Sequence, residues 1–290
     1  LEDSTPVLTT EGWQRHGDLR PGMFVYGRDG KPKRILAVTG STEQDLFDVT
    51  FPEGRVLRAT SGHLWSGRRC MHPKGDTSRW EDREMTLTTE EIAKITRMRV
   101  GKMRPFKVWA HSPVELPEAT LPIDPYILGF WLGDGHSDGG CISKGAVDRE
   151  HLLTLGHEIK SKEGMCTVLV DGLTRTLRLA GLQGDKHIPD AYLRASADQR
   201  LALLQGLLDS DGYCSPKTGA IEFCNTNKNI IDGVLTLLHL EGVTPKVTTA
   251  VGHYGDVQCK QYWRIQFRAT RPMFRLPRKA ANQRPSTERQ

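Results

Sequence analysis

A mixed α+β fold is predicted for this chain: an all-β unit at the N-terminus, then two copies of one helix-and-strand unit. Three observations carry that prediction. Short apolar runs separated by Gly and Pro fill residues 1–66. After Pro122 the pattern changes to helical periods alternating with strand pairs. And two segments, 127–135 and 204–212, align position for position, which is the mark of an internal duplication.

In the first part, the apolar runs 23–26, 34–38 and 46–51 read as strands. The turn signals between them include Arg28-Asp29-Gly30-Lys31 and Pro52-Glu53-Gly54. Residues 68–83 are polar and charged and read as an exposed loop. Thr88-Thr89-Glu90-Glu91 ahead of Ile92 and Ile95 reads as a capped short helix. Residues 105–122 carry several prolines and read as an extended connection. Beyond it, 126–134 is a dense apolar helix. Residues 148–163 read as a second helix, with Leu152, Leu153, Leu155 and Ile159 as its stripe. Residues 167–170 and 174–179 read as a hairpin around Asp171-Gly172. Residues 196–211 form a long helix, and then the arrangement repeats: strand 220–224, helix 229–240, strands 246–251 and 262–267. The stretch 268–290 holds seven Arg or Lys and one acid, which suits either a solvated end or contact with a nucleic-acid backbone. This divides the chain into 1–114, 115–279 and a basic tail, 280–290.

Composition narrows the function classes. The chain is 37% hydrophobic and 26% charged, enough apolar material for a sizeable core. A net charge of +5 permits nucleic-acid binding without requiring it. No apolar run approaches the length of a membrane span, and no signal peptide is evident. The expected location is cytoplasmic, with reduced thiols. Cys70, Cys141, Cys166, Cys214, Cys224 and Cys259 contain no C-x-x-C pair, which argues against a zinc ribbon or redox motif.

The informative segments are Ile127-Leu128-Gly129-Phe130-Trp131-Leu132-Gly133-Asp134-Gly135 and Leu204-Gln205-Gly206-Leu207-Leu208-Asp209-Ser210-Asp211-Gly212. Asp134 and Asp211 fall opposite each other, one repeat apart. Gly129 and Gly133 lie on one helix face, as do Gly206 and Ser210. Small residues at this spacing let two helix backbones approach closely, and the flanking Phe130, Trp131, Leu132, Leu207 and Leu208 are too apolar for a surface. Each helix ends in Asp-Gly. Glycine there is a stop signal, but aspartate opposes the negative helix C-terminus by up to about 1 kcal/mol. Two such carboxylates brought together also repel. A divalent cation resolves both penalties. Asp134 and Asp211, with backbone oxygens of Gly133 and Ser210, offer hard oxygen ligands suited to Mg²⁺. An EF-hand does not fit, since Asp209-Ser210-Asp211-Gly212 lacks the third spaced ligand and the distal Glu.

The two segments resemble the paired motifs of LAGLIDADG homing endonucleases, and the resemblance runs from about residue 115 to 278. The second copy is close to the family pattern. The first has Trp131, Leu132 and Gly133 where the family name has Ile, Asp and Ala. The resemblance implies two pseudo-symmetric αββαββα halves, motif helices at their interface, and sheets forming a saddle over DNA. It implies Asp134 and Asp211 as metal-binding catalytic residues, with Mg²⁺ as cofactor and Ca²⁺ or Mn²⁺ able to substitute in a crystal. Lys186, just before Ile188-Pro189, resembles the family's basic active-site residue. The matching stretch of the second half is Arg275-Leu276-Pro277, which offers Arg275. Base-reading side chains would lie on the sheets, with Arg175, Arg178, Lys246, Arg264 and Gln266 as the candidates. One monomer with both halves would cut both strands of a long double-stranded DNA target, with no membrane partner.

Two N-terminal stretches, Ser4-Thr5-Pro6-Val7-Leu8-Thr9-Thr10-Glu11-Gly12-Trp13 and Thr60-Ser61-Gly62-His63-Leu64-Trp65, resemble the first two blocks of inteins, which have the Hint fold. Thr60 and His63 occupy the positions that activate the N-terminal scissile peptide in that family. Leu1 resembles its second position, and Trp65 resembles the class that lacks the first Cys. The last two splicing blocks are missing before Gln290, so the expectation is a nuclease attached to a partial splicing domain that does not itself splice. The alternatives are a DNA-binding module with inactive catalysis and a protein-splicing element.

Overall fold

The computed structural model describes residues 1–71, 81–97, 106–254 and 257–284. They divide into two units, Leu1–Val114 and Glu115–Arg289.

The first unit is mostly strand. β1 (Pro6–Thr9), β2 (Gly12–Arg15), β3 (Phe24–Tyr26) and β4 (Pro32–Arg34) form a sheet in the order β2-β1-β3-β4, and β5 (Leu46–Thr50) pairs with β6 (Val56–Thr60). β7 (Leu64–Met71), β8 (Glu81–Thr88) and β9 (Lys107–Val108) make a third sheet, in the order β8-β7-β9. The one α-helix of this unit among the described residues, α1 (Thr89–Arg97), starts at the predicted capping box. The Thr88 amide donates to the Glu91 carboxylate (2.7 Å), and the Glu91 amide donates to the Thr88 hydroxyl (3.2 Å).

The loop expected over 68–83 is not one at its two ends. Residues 68–71 and 81–83 continue β7 and β8, and 72–80 lie outside the described residues. Arg68 pairs across the ladder with Glu84 and lies 3.5 Å from Asp82. Opposite charges facing each other support a solvent-facing ribbon as well as apolar residues do, so polarity alone misled. The core of this unit is thin. Leu19, Ala59, Trp65 and Val114 are buried, while Trp13, Phe24, Leu46, Val56 and Leu64 are exposed.

The second unit opens with α2 (Pro125–Asp134), which Asp124 caps by accepting from the Ile127 amide. β10 (Cys141–Gly145), α3 (Arg149–Leu152), β11 (His157–Lys162), β12 (Met165–Leu169), α4 (Leu173–Leu179) and α5 (Asp190–Leu193) follow. Then come α6 (Ala197–Asp211), β13 (Gly212–Cys214), β14 (Ile221–Asn225), α7 (Lys228–Leu240), β15 (Lys246–Tyr254), β16 (Val257–Phe267) and α8 (Pro277–Ala280). A capping box between Ser196 and Gln199 starts α6. The sheets run β10-β12-β11 and β13-β14-β16-β15. A continuous apolar cluster from both copies surrounds α2 and α6.

The second copy keeps the αββαββα order, but the first is abbreviated. Where the second copy has β13, the first has a single bridge between Gly135 and Ile142.

Two elements of the first copy differ from expectation. Over 148–163, helix survives only as the short turn α3, and 157–162 is the strand β11. Gly156 lies against β12 so closely that a Cβ there would sit 2.3 Å from the Leu169 carbonyl oxygen. This packing of backbone on backbone ends the helix and delivers 157–162 to the sheet edge. The β11–β12 turn uses Gly164, whose φ of 80° is open to glycine. The expected hairpin around Asp171-Gly172 is instead a strand followed by a helix. Leu173 and Leu177 are both buried, four residues apart, so helical spacing wins over alternation in α4.

Candidate active site at the paired helix ends

α2 and α6 meet along their small residues. A Cβ added to Gly129 would sit 2.1 Å from the Leu203 carbonyl oxygen, and one added to Gly206 would sit 2.1 Å from the Tyr126 carbonyl oxygen. One added to Gly133 would sit 2.1 Å from Ser210 Oγ and 3.1 Å from Asp211 Oδ2. The helices therefore touch through backbone, and Leu128, Phe130, Trp131, Leu203, Leu204, Leu207 and Leu208 bury around them. This contact brings the two C-termini, and with them Asp134 and Asp211, to one place. The glycines that follow are not left-handed stops: Gly135 (φ −77°) and Gly212 (φ −80°) are extended. Crowding demands glycine there, since a Cβ would lie 2.4 Å from the Trp131 oxygen in one case and 2.5 Å from the Leu208 oxygen in the other.

Three lysines lie at these ends. Lys186 Nζ donates to the carbonyls of Trp131 (2.9 Å), Leu132 (3.2 Å) and Gly135 (2.8 Å), and lies over the Trp131 ring. Lys279 Nζ, from α8, donates to the carbonyls of Leu208 (2.8 Å), Asp209 (2.7 Å) and Ser210 (3.3 Å). Each lysine closes the C-terminus of one motif helix and opposes its partial negative charge. Lys144, from β10, donates to Asp134 Oδ2 (2.5 Å) and to the Ser210 carbonyl (2.6 Å). Arg275 goes elsewhere. Its guanidinium lies 4.1 Å from the Tyr126 ring centre and donates to Gln205 Oε1 (2.7 Å). Lys279, and not Arg275, is thus the counterpart of Lys186. Aligning the two Pro-containing stretches gave the wrong residue because Lys186 precedes its proline and Lys279 follows it. Lys144 was missed as well, although alternation in Cys141–Gly145 places it on the inward side with Ile142.

The electrostatics match this crowding. Burial, and then the Asp134 carboxylate, raise the Asp211 pKa, against the pull of Lys144, Lys186 and Lys279. Asp211 keeps contact with solvent, yet the packed helix end removes much of the water around its carboxylate. Burial lowers the Lys186 pKa, opposed by Asp211 and Asp134. Lys279 falls to about 8, first through burial and then through repulsion from Lys144.

The donor set fits a divalent cation of the hard class. It offers two carboxylates and backbone oxygen at one spot, where added positive charge relieves the Asp134–Asp211 repulsion. Among the described residues no group of three or more His, Cys, Asp or Glu is arranged to hold a metal. The remaining ligands must come from backbone, water or a bound anion, the situation Mg²⁺ favours.

Asp209, two residues before Asp211, plays a different part. It is fully buried, and its Oδ2 accepts from the Tyr126 hydroxyl (2.8 Å) and the amides of Arg275 (2.9 Å) and Leu276 (3.1 Å). His151 Nε2 lies 2.5 Å from the same hydroxyl. This carboxylate ties the segment carrying Lys279 to α6. The corresponding residue in the first copy is the apolar Leu132, so nothing in the duplicated pattern signals the role.

The proposed base-reading residues fall into two groups. Lys246, Arg264 and Gln266 lie on β15 and β16, and their register puts them on the outward face with Glu222. Glu222 holds both Arg264 (3.2 Å) and Gln266 (2.8 Å). Arg175 and Arg178 are not on a sheet at all: both belong to helix α4. A shallow cleft lined by Asp211, Cys224, Asn225, Thr226 and Tyr262 joins the helix end to the outward face of this sheet.

In the first unit, Thr60 ends β6, His63 sits in the following turn and Trp65 lies in β7. The His63 amide donates to the Thr60 carbonyl (3.1 Å), and the His63 and Trp65 rings meet edge to face at 5.0 Å. Trp65 Nε1 donates to Thr89 Oγ1 (2.9 Å), which fixes the indole. Burial lowers the His63 pKa, helped by the positive amino group of Leu1 and by His16. The Glu2 amide donates to the Arg58 carbonyl, so the first residues run beside the strand that ends at Thr60.

A family model described as a LAGLIDADG-like domain matches residues 198–265, the stretch containing α6, Asp211, α7 and the second sheet. The chain is 31% identical over 287 residues to the replicative DNA helicase DnaB of Mycobacterium intracellulare, covering 95% of this chain and 48% of that protein. It is 27% identical over 266 residues to the probable translation initiation factor IF-2 of Thermococcus kodakarensis, covering 83% and 23%. A third relative, the iron-sulfur cluster assembly SufBD family protein ML0593 of Mycobacterium leprae, is 20% identical over 87% of this chain and 33% of its own length. The chain thus spans about half or less of the curated relatives it matches. Among solved structures, mesophilic variants of the homing endonuclease I-DmoI match with a TM-score of 0.37 and 14% identity, covering 55% of this chain and 95% of that one.

Proposed function

We propose that the second unit is a site-specific DNA endonuclease of the LAGLIDADG homing type, hydrolysing phosphodiesters with a divalent metal, Mg²⁺ by its ligand chemistry, that Asp134 and Asp211 would hold. The observation that carries this reading is the delivery of two carboxylates and three lysines to the ends of two helices packed through glycine. A structural pair of helices has no need of repelling acids at that point, and the donor set suits a hard cation. When bound, that cation supplies Lewis-acid stabilisation of negative charge on the phosphodiester. The chain's own residues do the rest. Asp134 and Asp211 hold and orient the charge. Lys186 and Lys279 spend their ammonium donors on the helix-end carbonyls and so keep fixed positive charge beside the two carboxylates. Lys246, Arg264 and Gln266 offer donors along the outward face of the second sheet to a duplex, next to the cleft at Asp211.

We read the first unit as part of a protein-splicing domain. Support comes from Thr60, His63 and Trp65 clustering around the β6–β7 turn, next to the strand along which the first residues run, and from apolar residues left exposed on a thin β core. The relatives add a separate argument. Stretches of one helicase, one translation factor and one cluster-assembly protein match the same chain while making up only 23–48% of each. Proteins so different in name sharing one matched stretch is the pattern of an element inserted into unrelated genes.

Cleavage of a plasmid library carrying randomised inserts, in Mg²⁺, tests the nuclease reading. Wild type should give double-strand breaks at a restricted set of sites, and Asp134→Asn and Asp211→Asn should bind the same sites without cutting. Normal cutting by either variant refutes the assignment. Mass spectrometry of the chain fused between two reporter peptides tests the splicing part. Processing at the N-terminal junction should depend on Thr60 and His63, and processing that survives His63→Ala would refute their role.

A further inference from the structure

The two halves of the helix-end site are not equivalent, and the difference lies in one side chain. Lys144 projects from the inward side of β10. Its ammonium joins Asp134 Oδ2 (2.5 Å), an oxygen of one motif helix, to the Ser210 carbonyl (2.6 Å), an oxygen of the other. A carboxylate of one helix and a backbone oxygen of its partner are the pair a divalent ion would use, and here an internal cation spans them. The lysine side chain is only 12% exposed, so the pair is shielded from water.

The second copy has no such residue. The bridge between Gly135 and Ile142 corresponds to the pairing of Gly212 with Phe223. Counting two residues on along each strand sets Lys144 opposite Asn225. Asn225 is neutral and lines the cleft with Asp211. Among the described residues the Asp211 carboxylate has no ion pair or hydrogen bond. One carboxylate therefore has a resident cation in direct contact, while the other feels Lys144, Lys186 and Lys279 only at longer range.

We infer that Lys144 is an internal competitor for the divalent ion at Asp134, so that metal loads first at Asp211 and only with weaker affinity at Asp134. This rests on the nuclease reading in one respect, that the helix ends take a divalent cation. Displacing Lys144 means breaking a charge-assisted hydrogen bond, which sets the expected difference in affinity at about tenfold or more. For the reaction, the half centred on Asp211 is then ready at lower Mg²⁺ than its partner, and nicked DNA accumulates when Mg²⁺ is scarce.

The test is Mn²⁺ binding to the full chain, followed by electron paramagnetic resonance of the free ion. Wild type should show two classes of site at least about tenfold apart. Asp211→Asn should remove the tight class and Asp134→Asn the weak one. Lys144→Met should bring the two affinities within about threefold, and Asn225→Lys should weaken the tight class. The Asn225→Lys variant keeps the test informative even where Lys144→Met folds poorly. Two equal classes in wild type, or an isotherm that Lys144→Met leaves unchanged, overturn the inference alone. Absence of Mn²⁺ uptake sensitive to either Asp overturns the metal site itself, and the nuclease reading with it.

Discussion

Gly129→Ala inserts one methyl group where α2 and α6 touch. The added Cβ would start 2.1 Å from the Leu203 carbonyl oxygen and 2.9 Å from the Leu207 amide nitrogen. Neither neighbour is a side chain that can rotate away, so the helices themselves must separate by about 1 Å to restore van der Waals contact. A gap of that size forfeits roughly a quarter to a half of the dispersion energy across the contact. Overpacking typically costs about 1–3 kcal/mol, and the rigid backbone puts this site at the upper end. The gain in helix propensity returns about 1 kcal/mol. A net loss of about 2 kcal/mol follows, a fall of roughly 4–8 °C in the melting temperature of a unit this size. Gly133→Ala is the control. Its nearest neighbour is the Ser210 side chain, so Ser210→Gly should recover most of its loss, while no side-chain substitution recovers Gly129→Ala. Urea denaturation of the four variants, followed by tryptophan fluorescence, measures this. A Gly129→Ala protein as stable as wild type would refute the backbone-to-backbone contact, and with it the reason the two carboxylates are neighbours.

Two further outcomes are expected. Asp209→Ala removes the acceptor shared by Tyr126, Arg275 and Leu276 and leaves buried donors without a partner, which should cost about 2–4 kcal/mol in urea titration. It should also weaken cutting, because the segment that carries Lys279 loses its anchor. The pH dependence of stability should carry the signature of Lys279, whose folded pKa of about 8 lies below its ordinary value of 10.5. The native state then binds fewer protons than the unfolded chain between these two values, so stability rises as pH climbs from about 8 to 10.5. The full contribution is about 3 kcal/mol. Lys279→Met should flatten that rise relative to wild type, and identical slopes would contradict the assigned burial.

The position of the paired acids was legible because its determinants are local. Small residues four apart, apolar flanks and a terminal Asp-Gly all sit within one short segment, and that segment occurs twice. The same holds for the Thr88–Glu91 capping box. Elsewhere tertiary contact decided. Gly156 pressed against the Leu169 carbonyl turned an expected helix into β11, and the buried Leu173 and Leu177 turned an expected strand into α4. Arg175 and Arg178 left the sheet for that reason. Lys279 reaches its helix end from the opposite side of its proline, so alignment of the copies selected Arg275 instead. Asp209 finds its partners in the amides of Arg275 and Leu276, and backbone groups carry no signal in a side-chain sequence. In the first unit, charged residues such as Arg68 and Asp82 pair across a ribbon that composition alone described as loop.

Arg278 forms a two-pronged pair with Asp148 of the first copy, at 2.7 and 2.6 Å, and its neighbour Lys279 closes the helix end of the second. One short stretch near the C-terminus thus fastens both copies. During synthesis these residues emerge from the ribosome after everything else the pocket needs. A nascent chain that has made both acids still lacks its last ammonium and its clasp between the copies, so the pocket stays incomplete until translation has passed Lys279.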